Sequence, residues 1–202
     1  MNPYALLETI KRRRSCRRFI DSPVDPKILM RLVEGGIHAP SASNSQNCRF
    51  LIIDDKDEIR ELAKQKSPRQ LIVKASAIIV VFCDPMQHKH RAEEAHIWQQ
   101  TWAHNCAAAI QNILLMAAEF GLGACWVGAV DTMNGTRLLN GKRWKELFHQ
   151  YDIPDRYNIH GLVLLGEPEE KDEDGYAMGD IRHGGKPIKR HPVENYLIGK
   201  KK

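Results

Sequence analysis

The sequence predicts a single domain of the α+β class, with helices packed on a buried sheet. Residues 75–83 and 159–166 are almost continuously apolar and rich in branched side chains, which is typical of strands buried on both faces. Residues 95–120 carry apolar side chains around much of a helical circumference, as a central helix does. No internal repeat or linker divides the chain, so residues 1–202 are assigned to one domain.

The composition is that of an ordinary globular protein, with 43% hydrophobic and 27% charged residues. A net charge of +5 favours anionic ligands but is too small to indicate nucleic-acid binding. No apolar stretch approaches the roughly 20 residues of a membrane span, and the N-terminus does not resemble a signal peptide. The five cysteines show no CxxC spacing, which indicates reduced thiols. We therefore expect a cytoplasmic protein that binds neither membrane nor nucleic acid.

The first half of the chain is predicted to contain helices, one strand and a polar loop. The first helix places Leu6, Leu7 and Ile10 on one face. The second begins at Asp25-Pro26, since an acceptor at the cap followed by proline is typical of a helix start. In order, the elements are a helix over residues 4–10, a helix over 26–37, a loop over 39–47, a strand over 48–53 and a helix over 58–66.

The second half is predicted to surround the central helix with strands. Gly121 ends that helix as a C-terminal cap. The tail has apolar residues but no partner for them within its own segment. The remaining elements are a short helix over residues 69–74, a strand over 75–83, a short strand after the turn at 122, a weaker helix over 134–150, a strand over 159–166, an acidic turn-rich segment over 167–180 and a tail over 181–202.

A basic cluster follows the first helix. Six of the nine residues in the segment KRRRSCRRF, residues 11–19, are cationic. Arginine carries a permanent charge and grips phosphate oxygens in bidentate fashion, and a serine hydroxyl adds a short donor. Because the cluster lies between an amphipathic helix and Phe19, we expect both neighbours to be buried anchors. The segment alone is compatible with an anion site, a solvated basic turn or a nucleic-acid patch.

Five short motifs occur in order along nearly the whole chain. They are RRSCRRF at residues 13–19, APSASNSQ at 39–46, AAEFGLGACWVG at 117–128, LGEP at 165–168 and KRHPVE at 189–194. Each is a weak signal alone, but in this order and spacing they together resemble the nitroreductase family of flavoproteins.

The resemblance implies a three-layer α/β/α fold with a mostly antiparallel, mixed central sheet. It also implies an intertwined homodimer with two FMN molecules at the interface, each contacted by both chains. The C-terminal extension, residues 181–202, would then reach the partner subunit. This would explain why its apolar residues have no partner nearby in the sequence.

The resemblance also assigns three groups of FMN-binding residues. The FMN phosphate and ribityl chain would be bound by Arg13, Arg14, Ser15, Arg17, Lys189 and Arg190. The backbone along the flavin ring would be that of Cys125, Trp126, Val127 and Gly128, since small residues let N–H donors approach a ring closely. The partner subunit would contribute Pro40, Ser41, Ala42, Ser43, Asn44 and Gln46.

The chain departs from the family pattern after its polar loop. The family often has Pro-Trp there, and this chain has Asn47-Cys48. A further polar ring contact, which the family usually has before the second strand, is left unassigned, with Gln70 as a candidate. His88 and His90 have usable metal-ligand spacing but lack a zinc-type set of companions, so no metal is expected.

The function implied by the resemblance is that of an FMN-dependent oxidoreductase. Hydride from transiently bound NAD(P)H would pass through flavin N5 to a nitroaromatic, quinone or enone acceptor by a ping-pong mechanism. Because the flavin carries the chemistry, no side chain is assigned as catalytic. One alternative is a specialised family member, such as a reductive dehalogenase or a flavin-fragmenting enzyme. Another is a basic nucleic-acid-binding module, although no RRM, helix-turn-helix or zinc-finger pattern is present.

Overall fold

The computed structural model describes residues 4–64, 72–85, 95–128, 146, 149–179, 190 and 192–196. The helices in these ranges are α1 (Ala5–Arg12), α2 (Pro26–Ile37), α3 (Lys56–Ala63) and α4 (Ala95–Glu119). The strands are β1 (Cys48–Ile53), β2 (Ala77–Cys83), β3 (Gly123–Gly128) and β4 (Asn158–Gly166). No helix in the described ranges combines the length and apolarity that crossing a membrane requires.

The four strands form one sheet in the order β1-β2-β4-β3, and each neighbouring pair is antiparallel. Strand β2 is buried along its whole length because it lies inside the sheet and both faces are covered. A register shift between Val81 and Phe82 interrupts its pairing with β4. Strands β1 and β3 therefore form opposite edges of the described sheet.

Helices cover both faces of the sheet and give three layers. On one face Ile59 and Leu62 of α3 pack with Ile78 and Leu164. On the other face Leu29 and Leu32 of α2, together with Ile110 and Ile113 of α4, pack against Val81 and Val163. The predicted α+β class and the α/β/α layering are confirmed.

The local sequence signals located most of these elements. Asp25 caps α2 by accepting a hydrogen bond from Lys27 N at 2.8 Å. Gly121 has a φ of 68° and ends α4, with Leu122 N donating to Ala117 O at 2.9 Å. Helix α3 begins two residues before its predicted start because Asp55 accepts hydrogen bonds from Asp57 N and Glu58 N, both at 2.9 Å. The predicted helix over 69–74, the helix over 134–150 and the tail over 181–202 lie largely outside the described residues.

The expectation of two buried anchors around the basic cluster is half right. Phe19 is 6% exposed and belongs to the core, but Leu6, Leu7 and Ile10 of α1 are 63%, 44% and 45% exposed. The buried residue of α1 is Thr9, whose hydroxyl lies within hydrogen-bonding distance of both Ala5 O and the Glu119 carboxylate. The apolar face of α1 is therefore turned away from the core of its own chain.

Candidate active site

The basic segment after α1 is attached to the outer edge of β3. Cys16 N donates to Ala124 O at 2.9 Å, and Ser15 forms a parallel bridge with Ala124. The Cys16 side chain is 2% exposed and lies over Gly123, where an added Cβ would sit 2.7 Å from its sulfur. Burial of Cys16 and Phe19 thus fixes the segment and leaves the arginines between and before them at the surface.

The acidic segment over residues 167–180 forms ion pairs with two of the arginines in the basic cluster. Arg12 pairs with Asp174 and also lies over the Tyr176 ring, 5.2 Å from its centroid. Arg18 pairs with Glu170 at 2.9 Å and approaches Glu169 at 3.6 Å. The charges of Arg12 and Arg18 are thereby offset, and Arg13 and Arg14 are left to define a positive site.

The inner arginines come together with a residue from the other end of the chain. Burial lowers the pKa of the half-buried Arg13 guanidinium, and the charges of Arg14 and Arg190 lower it further. Among the described residues no carboxylate pairs with Arg13, while Arg14 donates to the main-chain oxygens of Lys11 and Arg13. Like charges held this close favour a bound anion.

The remaining predicted phosphate residues lie in or near the same segment. Ser15 and Arg17 are half-buried on either side of Cys16. Arg13 and Arg14 line a crevice with the apolar side chains of Leu114, Ala118 and Leu122. Lys189 lies outside the described residues. The described part of the predicted phosphate set therefore occupies one region, beside the C-terminal half of α4.

The predicted ring contacts lie on β3, and their side chains alternate. Cys125 and Val127 point into the core, at 1% and 9% exposure, whereas Trp126 is 39% exposed. Because Ala124 O accepts from Cys16 at the outer edge, the alternate residues Trp126 and Gly128 present their N–H and C=O groups to that edge. Cys125 pairs with Leu164 of β4, so its N–H and C=O groups face that strand, and neither its side chain nor its backbone faces the outer edge. Its burial also agrees with the prediction that it is a core residue.

The polar loop containing residues 40–46 lies elsewhere in the chain. It leads into β1, which is three strand positions from β3, or roughly 14 Å across the sheet. Asn105 of α4 contacts the loop, whereas Ala118 of α4 lines the arginine crevice, and 13 helical residues span about 20 Å. One chain therefore does not bring the loop and the phosphate residues together.

Two features of the candidate site were not predicted from the sequence: the acidic segment beside the basic cluster, and the contact of Asn105 with the polar loop. The acidic segment after β4 complements the charge of the basic cluster, a signal visible as oppositely charged runs. Asn105 has no such signal beyond being a polar residue within an apolar helix, and its contacts depend on the tertiary fold. Gln70, His88 and His90 lie outside the described residues.

All five cysteines carry free thiols, in agreement with the expectation of reduced cysteines. Cys48 of β1 and Cys106 of α4 lie with their sulfurs 3.7 Å apart. The hydrogen bond between the two thiols lowers the pKa of Cys48 and raises that of Cys106. These residues are near the start of β1, close to the polar loop rather than the arginine crevice.

The model of the nitroreductase family matches residues 10–74 and 64–166, which include the basic segment, the polar loop and all four strands. The chain belongs to the nitroreductase family. An Archaeoglobus fulgidus relative, provisionally named an NADH dehydrogenase/NAD(P)H nitroreductase, is 29% identical over 91% of this chain and 96% of its own. The NADPH-flavin oxidoreductase of Vibrio harveyi is 28% identical over 83% of this chain and 67% of its own.

Solved structures in the nitroreductase family share the fold. A provisionally named nitroreductase from Desulfovibrio desulfuricans, crystallised in complex with FMN, superimposes with a TM-score of 0.72 at 27% identity. The alignment covers 100% of this chain and 98% of that one. The two chains therefore correspond over nearly their full lengths.

Proposed function

We propose that this protein is an FMN-dependent oxidoreductase that uses NAD(P)H. The observation that carries the proposal is the approach of Arg14, and of Arg190 from the other end of the chain, to the half-buried Arg13, whose pKa their charges lower. A phosphate dianion fits this donor set because it offers several oxygens to planar guanidinium groups and offsets their repulsion. Membership of the nitroreductase family favours FMN as the phosphate-bearing ligand. The relative crystallised in complex with FMN supports the same assignment.

The residues around this position would hold the cofactor as follows. Arg13, Arg14, Ser15 and Arg17, with Lys189 and Arg190, would bind the phosphate and ribityl chain. The outer edge of β3 at Trp126 and Gly128 would direct backbone groups at the ring. Bound FMN supplies hydride transfer between a nicotinamide and an organic acceptor. The protein supplies position, positive charge and exclusion of water.

A second copy of the chain would complete the site. The loop containing Pro40, Ser41, Ala42, Ser43, Asn44 and Gln46 lies about 20 Å along α4 from the arginines of its own chain, so it cannot contact the phosphate that those arginines would bind. Helix α1 exposes the apolar residues Leu6, Leu7 and Ile10, which a partner subunit would cover. A homodimer with FMN between the subunits accounts for both observations.

The absorption spectrum of freshly purified protein tests the proposal. We expect a yellow protein whose flavin band is bleached anaerobically by NADH or NADPH and restored by a quinone or nitroaromatic acceptor. Because one pocket would serve donor and acceptor in turn, initial rates should give parallel double-reciprocal plots, the pattern of ping-pong kinetics. Colourless protein that takes up no FMN on reconstitution contradicts the proposal.

A flavin-fragmenting enzyme remains the second candidate within the family. A 5,6-dimethylbenzimidazole synthase of Rhodospirillum rubrum is 24% identical over 90% of this chain and 89% of its own. The same purified protein separates the candidates, because aerobic incubation with NAD(P)H leaves the flavin intact in an oxidoreductase. Chromatography of the released cofactor would reveal a benzimidazole product in the other case.

A further inference from the structure

The polar loop has a backbone that its residue types do not favour. Ser43, Asn44 and Gln46 have φ angles of 52°, 50° and 46°. This is the left-handed region, which glycine adopts freely and asparagine tolerates, but where the side chains of Ser43 and Gln46 crowd the backbone. Bonds inside the loop, such as Asn44 N to Ser41 O at 2.9 Å, do not anchor it to the rest of the protein. Such a conformation persists where surrounding groups hold it.

The side chain of Asn105 on α4 holds this loop. It is 5% exposed, and its Oδ1 accepts a hydrogen bond from Ala42 N at 3.0 Å. Its Nδ2 donates to Ser45 Oγ at 3.3 Å and to Asn47 Oδ1 at 3.0 Å. An asparagine amide has one acceptor oxygen and one donor nitrogen with two N–H groups. Both polar atoms of Asn105 are therefore used on the loop and on the residue that ends it.

Asn47 transmits this anchor to the sheet. It is fully buried, and its Nδ2 donates to Cys83 Sγ at 3.2 Å. Its main-chain oxygen accepts from Asp84 N at 2.8 Å, just beyond the end of β2. The family often has proline at this position, which has no side-chain amide, so the motif does not supply this contact. The pairing of Asn47 with Asn105 was visible only in the folded chain.

We propose that Asn105 is a positioning residue for flavin binding. This inference rests on the proposed function. Asn105 holds the loop in the left-handed conformation in which residues 41–44 and Gln46 would contact the flavin held by the partner subunit, away from its phosphate. The arginines of its own chain lie about 20 Å along α4 from Asn105, so Asn105 does not position them. Loss of its amide should therefore weaken binding of the ring and ribityl chain and leave phosphate recognition unchanged.

Riboflavin, which lacks the phosphate, separates the two effects. We expect Asn105→Ala to raise the dissociation constants of FMN and riboflavin by a similar factor of at least ten, and to shift the bound-flavin absorption band towards that of free flavin. The matched control is Asn112→Ala. Asn112 lies on the same helix and donates to Gly35 O at 3.1 Å, away from the loop. The control should bind both flavins as the wild type does.

Each outcome decides one question. If Asn105→Ala binds both flavins as tightly as Asn112→Ala does, the positioning role is overturned. It is also overturned if Asn105→Ala binds FMN more weakly but riboflavin as tightly as the wild type does. If Asn105→Ala does not fold, Ser45→Ala decides, because it removes one contact of Asn105 at the surface side of the loop. It should weaken both flavins about threefold, and unchanged binding overturns the role. A wild-type protein that binds neither flavin instead refutes the proposed function.

Discussion

The guanidinium groups of Arg13 and Arg190 lie close enough that the charge of Arg190 lowers the pKa of Arg13. The two residues belong to opposite ends of the chain. Repulsion between them is a cost that the protein bears when the site holds no anion, and a bound dianion turns it into attraction. Sites at which unpaired like charges meet are commonly functional, because structure alone gives no reason to retain them.

Replacing Arg13 should weaken FMN without affecting riboflavin. Loss of a charged hydrogen bond costs about 2 kcal/mol, so Arg13→Ala should raise the FMN dissociation constant about 30-fold. Arg31→Ala is the control, since Arg31 forms an exposed ion pair with Glu34 on α2, at 2.6 Å. Isothermal titration with both flavins measures the effect. Equal loss of FMN and riboflavin affinity would place Arg13 away from the phosphate.

Replacing Arg190 should lower the affinity for FMN without lowering the stability of the flavin-free protein. In the flavin-free protein, Arg190→Ala removes a repulsion at an exposed position, so the free energy of unfolding should stay within about 0.5 kcal/mol of wild type or rise. FMN affinity should nevertheless fall. Urea unfolding of the apoprotein and FMN titration give the two values. Marked destabilisation of the apoprotein would show that Arg190 makes a favourable contact within the chain.

Charges on the exposed face of α1 should dissociate the proposed dimer. The double variant Leu6→Asp with Ile10→Asp would bury two unpaired carboxylates in the interface, which is strongly unfavourable. Sedimentation equilibrium should show the dimer dissociation constant raised at least tenfold, with release of flavin. Val73→Asp is the control, because Val73 is 43% exposed and follows Ile72, which belongs to the core on the α3 side of the sheet. A dimer unaffected by the double variant would place the interface on another surface.

The contact between Tyr151 and Glu58 should give the protein a pH-dependent stability in the alkaline range. Tyr151 donates to Glu58 at 2.6 Å, and burial together with that carboxylate raises its pKa to about 12. An unfolded tyrosine titrates near 10. The folded state holds the proton more tightly, so the stabilisation is complete below about pH 10 and is lost as the pH rises towards 12.

Chemical denaturation from pH 9 to 12 tests this contact. The difference in unfolding free energy between wild type and Tyr151→Phe should shrink over that interval. Glu58→Gln, which retains an acceptor but removes the charge, should shift the loss to lower pH. A difference that stays constant with pH would mean that Tyr151 titrates as it does in the unfolded chain.

Much of the fold could be predicted because it depends on short-range patterns. The strand over 48–53 was located to the residue, and Asp25 and Gly121 marked helix ends through interactions with their own neighbours in the chain. The start of α3 was misplaced because an aspartate run offers several caps, and only packing selects Asp55. The exposure of α1 was missed because an amphipathic pattern does not reveal which molecule covers its apolar face.

The sequence by itself determined the family, the α+β class and the residue types that suit a phosphate, since these follow from local periodicity and from motif order. Only the tertiary structure decided which of the six neighbouring cations meet distant acids, because Asp174 and Glu170, more than 150 residues away, pair with Arg12 and Arg18. It also placed the polar loop at the far side of the sheet and attached it to Asn105. Such contacts join distant parts of the chain, and no local pattern encodes the distance between them.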